Sequence, residues 1–402
     1  MLFLPWTSFY DDYSLVTTQE DCRSAQACTF LFFQALGWKI AHDGTKAEPF
    51  ADTFRALGVV FDFRLAPRGR MSLSNTPERG QEVLTWCRSL LGKQTFTPQE
   101  CHVFASRIRW LESQTHGRTG RLAVRVILTH GSLDFSRKAR PLTPQLLWAI
   151  RWLLCFVPQA KPRVFGGDKP RHWHVFTDGA VEDSFSGLGG VLCNEQGVPI
   201  SKFGIRVPDQ VLQDWHRSGT QHPVFQAELL AVLVALQVWR RALTGCLVTF
   251  WLDNEAVRFA LAKGTAFPQS NARMVHSFLQ LETALSVHSW FSRVPSECNP
   301  ADEPSRLLPG SAQAQQEPSA FLRGVQQQEI DVGQVVSLAL RRIRRSDLGN
   351  SPILLSSLFH RPAGIVQFLT SPTGQDSQAV RTGCERRNCP TLENRAERCI
   401  NP

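Results

Sequence analysis

Four acidic residues stand in settings whose chemistry can be read locally: Asp178 in Thr177-Asp178-Gly179, Glu228 in Gln226-Ala227-Glu228-Leu229, Asp253 in Leu252-Asp253-Asn254, and Asp302 in Asn299-Pro300-Ala301-Asp302. Phosphodiester hydrolysis needs a deprotonated water and a stabilised leaving oxygen, and two divalent cations can supply both. Mg²⁺ prefers hard oxygen ligands and keeps several of its waters, so a few carboxylates suffice to hold it. Carboxylates gathered without a cation repel one another and partly protonate. That instability is tolerable where cation binding is the purpose. Together the four acids suggest one metal site that cuts nucleic acid.

The whole chain bounds this reading. Its 402 residues predict two or three domains, and a hydrophobic content of 43% is enough for a sizeable core. The formal charge of +9 favours a polyanionic partner, nucleic acid before membrane surface. Eleven cysteines, an odd number without a repeating spacing, read as reduced thiols of an intracellular protein, cytoplasmic or nuclear. The start Met1-Leu2-Phe3-Leu4-Pro5-Trp6 has no basic region before it, so secretion is not expected. The longest apolar run, near Leu229 to Val238, is too short to span a bilayer and reads as a buried helix.

The elements that must position the acids fall within residues 172–309. Trp173 to Thr177 alternates as a strand ending at Asp178-Gly179, Gly187 to Leu192 is a glycine-rich second strand, and Pro199 to Val207 is a third. A polar loop, Pro208 to His222, leads into a helix from about Val224 to Leu243, with Glu228 in its first turns. Cys246 to Leu252 is apolar throughout, as a central parallel strand would be, and ends at Asp253. Helices over 254–263 and 270–286, a strand over 289–294 and a short helix bearing Asp302 complete the set.

This β-β-β-α-β-α-β-α order, with the four acidic phrases in sequence, resembles the ribonuclease H domain. The resemblance implies an α/β (mixed α+β) fold with a five-stranded mixed sheet and a Mg²⁺ site, with Mn²⁺ able to take its place. It further implies that Asp178 is shared by two cations, that Glu228 and Asp253 serve one, and that Asp302 serves the other. The implied substrate is the RNA strand of an RNA–DNA hybrid, with the 2′-hydroxyl read by groups near Gly179 and Glu228. The family often carries a histidine in the loop before its last aspartate. Here that loop, Pro295-Ser296-Glu297-Cys298-Asn299, has none, which implies a slower enzyme.

Upstream, Phe9-Tyr10-Asp11-Asp12-Tyr13 reads as a hairpin with acids at its tip. A helix from about Gln19 to Leu36, a lysine-bearing loop ending at Lys46 and a strand over Phe54 to Phe61 follow. This order resembles the last part of a reverse transcriptase palm (residues 1–78), and residues 79–140, read as two or three helices, resemble its thumb. Asp11, Asp12 and Lys46 would then be a vestigial polymerase site. Only eight residues precede Phe9, so the resemblance implies an incomplete polymerase from a retroelement polyprotein, closest to DIRS-type elements. Polymerase activity is not expected from this chain alone, and the missing portion on another chain is an expected partner.

Residues 141–171 read as an apolar helix, Leu146 to Phe156, and a Pro- and Gly-rich run that together make a tether, and 310–402 as a mostly disordered tail, with a helix over Val335 to Arg345 whose terminal arginines complement its dipole or touch phosphates. Two rivals share these features: a catalytically inactive nucleic-acid-binding relic, and a protein-interaction scaffold. A relic would bind hybrid without cleaving it. A scaffold would lack the steep salt dependence that phosphate contacts impose.

Overall fold

The computed structural model describes residues 6–336 except 10–11, 40–49, 133–137, 168–169, 183–184, 218–221, 267–268, 310, 312, 314 and 334–335. Asp11, Lys46 and the arginines at 341–345 lie outside the described residues, as does nearly all of the expected tail.

The chain opens with the expected hairpin, β1 (Trp6–Phe9) and β2 (Asp12–Leu15), in which Phe9 pairs with Asp12. Helix α1 (Cys22–Ala35) follows, then β3 (Thr53–Ala56) and β4 (Val59–Asp62). The leucine-glycine step within the strand expected over Phe54 to Phe61 divides it in two. Leu57 and Gly58 both take positive φ, 53° and 75°, and turn the chain into a tight antiparallel hairpin. Such φ values are those of a primed two-residue turn, whose twist suits the flanking strands. Strand β5 (Arg70–Asn75) extends this sheet.

A helical unit comes next: α2 (Pro77–Lys93), β6 (Thr95–Phe96), α3 (Pro98–Ser113), α4 (Arg121–Ser132), β7 (Arg140–Pro141) and α5 (Pro144–Gln159). Three of its helices start on a threonine cap followed by proline, at Thr76, Thr97 and Thr143. A threonine oxygen satisfies one orphan N–H of the first turn, and proline loses nothing there. The expected tether at 141–171 is corrected by α5, which buries Leu146, Ala149, Ile150 and Leu153 against α2 and α4. Its strong apolarity thus serves a core, not a linker. Strand β8 (Arg163–Gly166) returns to pair with β5.

The remaining elements form the α/β unit. They are β9 (His172–Glu182), β10 (Phe185–Cys193), β11 (Pro199–Arg206), α6 (Asp209–Arg217), α7 (Val224–Val238), α8 (Arg240–Leu243), β12 (Leu247–Leu252), α9 (Glu255–Lys263), α10 (Gln269–Ala284), β13 (His288–Arg293), α11 (Asp302–Arg306) and β14 (Gln326–Gln327). The mixed α/β class and the strand–helix order expected from sequence are those observed. The loop expected at 208–222 contains α6.

The sheet order is β13-β12-β9-β10-β11-β14, with β12 parallel to both β9 and β13, and β10 antiparallel to β9 and β11. It has six strands, not five, because Gln326 and Gln327 add to β11. Leu322 is buried against Phe176, Val191 and Trp251, and Lys202 Nζ donates to its carbonyl at 3.0 Å. The expected end of the unit at residue 309 is therefore corrected. The Gln-, Ala- and Ser-rich composition hid one well-placed leucine.

Helix α7 is apolar on every side, and Gln226 through Leu236 are all buried between the sheet and α10. Its close seat on β9 depends on Gly179, because a Cβ there would strike the backbone of Ala227 and Glu228. On the opposite face α11 lies against β10 and β11, and a Cβ at Gly189 would strike the Ala301 carbonyl and the Ser305 amide. These are backbone atoms that cannot step aside. Gly189→Ala is expected to cost about 2–4 kcal/mol, as overpacking against backbone does. Chemical denaturation measures it, and a loss under about 0.5 kcal/mol, the range of a neutral surface change, contradicts it.

The two units are joined by a partly buried ion pair. Arg118 reaches Glu282 through Nε and Nη2 at 3.1 and 2.8 Å, and its Nη1 donates to the Leu261 carbonyl at 2.9 Å. The eight cysteines among the described residues are all free. Among the described residues no helix is long and apolar enough to cross a membrane.

Candidate active site

Asp178 lies in β9, which runs on to Glu182 rather than ending at Asp178 as expected. On the β10 side Asp178 is still paired, opposite Gly189, but pairing with β12 stops at Trp251–Phe176. Beyond that point β9 and β12 leave an opening between them. Asp253 follows the last residue of β12 directly, and Asn254 caps α9 by accepting from the Val257 N–H at 3.2 Å. The asparagine takes the capping duty, which frees the aspartate beside it. Glu228 enters from the second turn of α7, brought close by Gly179.

Carboxylate oxygens of Asp178, Glu228 and Asp253 all lie within 4.8 Å of one another. Asp178 and Glu228 are buried. Burial pushes the Glu228 carboxyl up to about 10, helped by the neighbouring charges of Asp178 and Asp253. Burial likewise raises Asp178 to about 6, against the lowering effect of the Ser305 hydroxyl, which donates to its Oδ2. Glu228 Oε2 and Asp253 Oδ1 are buried and accept no hydrogen bond. Buried acceptors without partners are costly, and an all-oxygen set of three acids is what a hard divalent cation binds. The residues present fit such an ion.

Asp302 is not part of this cluster. Its Oδ1 accepts instead from Arg306 Nε at 2.6 Å, one turn along α11. Of the expected polymerase site, Asp12 is described by its backbone in the β1–β2 hairpin, and Asp11 and Lys46 lie outside the described residues.

Sequence reading missed three supporting residues. Asn299 donates from Nδ2 to the Thr177 carbonyl at 3.0 Å, and its Oδ1 accepts from the Ala301 N–H, pinning the loop before α11 to β9. Ser305 is fully buried and holds Asp178, while Arg306 holds Asp302. The signal available was their spacing from Asp302: −3, +3 and +4, one turn on either side. Glu297, in the loop without histidine, is exposed.

No family model matches the chain, and no curated protein does. Among solved structures the chain is similar to RNase H1 from the halophilic archaeon Halobacterium salinarum NRC-1, at 19% identity and a TM-score of 0.27, over 32% of this chain and 90% of that one. It is also similar to LC11-RNase H1 isolated from compost, at 19% identity and a TM-score of 0.26, over 33% and 91%. A third is the N-terminal RNase H domain of a Mycobacterium tuberculosis protein, at 15% identity and a TM-score of 0.26, over 34% and 91%.

Proposed function

We propose that the α/β unit is a ribonuclease H-type hydrolase that cuts the RNA strand of RNA–DNA hybrids with divalent cations, Mg²⁺ or Mn²⁺, held by Asp178, Glu228 and Asp253, with Asp302 at their edge. The observation that carries the reading is the convergence of three carboxylates from β9, α7 and β12 in a buried opening, with two of their oxygens unpartnered. When bound, such a cation supplies activation of water and neutralises charge on the phosphate. The chain's own residues do the rest. Ser305 fixes the orientation of Asp178, Asn254 leaves Asp253 unengaged by the helix it precedes, and Gly179 admits Glu228. The net charge of +9 suits a polyanionic substrate.

We further propose that residues 1–78 and 79–140, which resemble a palm end and a thumb, descend from a retroelement polymerase. The test is cleavage of a labelled RNA–DNA hybrid by the full chain, with Mg²⁺ against EDTA. Metal-dependent cleavage is expected, with the same label in duplex DNA left intact. A folded protein that binds hybrid but never cleaves it overturns the enzyme reading and favours a binding relic.

A further inference from the structure

The next step rests on the three-carboxylate cluster being a cation site. Helix α11 carries two acids, Asp302 and Glu303, and holds Asp302 and the Asp178 of β9 through its own side chains. Asp302 opens it, Arg306 pairs with Asp302 one turn later, and Ser305, on the sheet side, donates to Asp178. The helix cannot shift easily, since Gly187, Gly189 and Gly204 let its backbone rest directly on β10 and β11. The Asp302–Arg306 pair is of another kind. Its side chains are 43% and 35% exposed, so it adds little to stability and is cheap to exchange. The guanidinium does not lose its proton at any working pH, and its charge also acts on Asp178 and Glu182. A carboxylate oxygen bonded to Arg306 is not available to a metal ion, and a fixed positive charge beside a cation site weakens that site.

We propose that Arg306 is the internal counter-ion of this site: it holds Asp302 outside the Asp178–Glu228–Asp253 cluster when no cation is bound, and yields the carboxylate when one arrives. Arg306 is a positioning residue acting through Asp302, and it sets the cation affinity of the site's fourth side. Removing it exposes Asp302 to the cation and lifts a repulsion. The expected gain in affinity is modest, because the pair is half-exposed.

The test is calorimetric titration of Mg²⁺ into the full chain, without nucleic acid, for the natural protein, Arg306→Gln, Arg306→Lys, Asp302→Asn and the double variant Arg306→Gln/Asp302→Asn. Arg306→Gln is expected to tighten Mg²⁺ binding roughly two- to fivefold, the scale of an exposed ion pair. Arg306→Lys keeps the charge and stays near the natural affinity. In the Asp302→Asn background the glutamine substitution tightens binding less, because only the lifted repulsion remains. A merely structural arginine would leave binding unchanged or weaken it. Unchanged or weaker binding in Arg306→Gln, or tightening as large without Asp302 as with it, overturns the proposal. Natural protein that binds Mg²⁺ yet leaves hybrid intact sinks the nuclease reading alone; hybrid cleavage with an Arg306→Gln affinity equal to the natural one sinks this proposal alone.

Discussion

Asp253→Asn folds as the natural protein does and loses hybrid cleavage by about two to three orders of magnitude. The asparagine keeps the shape of the side chain and its place beside the Asn254 cap, so β12 and α9 have no reason to change. What goes is one negative charge from a cluster whose oxygens lie within 4.8 Å of one another. A metal ligand contributes several kcal/mol of transition-state charge stabilisation, and each ~1.4 kcal/mol is a factor of ten in rate. The same change relieves repulsion in the empty site, so the metal-free variant should melt no lower than the natural protein. That combination separates a lost ligand from a damaged fold. Single-turnover cleavage with a parallel melt in EDTA checks both. Asp302→Asn is the contrast: Asp302 lies outside the cluster and reaches a cation only in exchange for Arg306, so its loss should cost about tenfold less than that of Asp253. Equal rates for the natural protein and Asp253→Asn would remove the site from consideration.

The parts of the fold legible in sequence were those written in short-range code. The alternation of Trp173 to Thr177, the apolar block of Cys246 to Leu252 and the helix around Glu228 each carry their own period, and each appears within a residue or two of its expected place except where β9 runs on to Glu182 and α7 breaks at Trp239. The Leu57-Gly58 step was legible, but not that it reverses the chain, because leucine rarely takes positive φ. Helix α5 was read as part of a tether because its flanking prolines and glycines mark breaks, whereas its burial depends on α2 and α4, which are distant in sequence. The site was legible as a set of acids but not as a geometry. Nothing local tells that Asp302 turns to Arg306 instead of to Asp178, since the choice between an i,i+4 partner and a neighbour across the sheet is made in three dimensions. The glycines of β10 read as a weak strand. Their purpose is the space they leave for α11.

The metal-free protein should lose stability as pH rises from about 4.5 toward 10, and Glu228→Gln should remove most of that loss. The sign follows from proton counting. In the unfolded chain Glu228 releases its proton near its ordinary value of 4.5, whereas in the folded protein burial and the two neighbouring aspartates hold the proton up to about 10. Between those values the folded state binds more protons, so stability falls with pH. Below 4.5 both states are protonated and the group costs nothing. Asp178 adds a narrower loss between 3.8 and about 6. One pKa unit is worth about 1.4 kcal/mol; because the carboxylates titrate as a coupled group, Glu228→Gln is expected to raise metal-free stability at pH 8 by on the order of 2–4 kcal/mol, and by little at pH 4.5. Denaturant midpoints in EDTA across this range measure it, and a difference between the two proteins that does not change with pH refutes it. Saturating Mg²⁺ should reverse the order. A ligand at 100 times its Kd adds about 2.7 kcal/mol to the protein that binds it, while the variant, short of one carboxylate, gains less. Three acids that destabilise the fold when empty and stabilise it when filled are held there for the cation, and the pH at which the two curves cross measures how strongly.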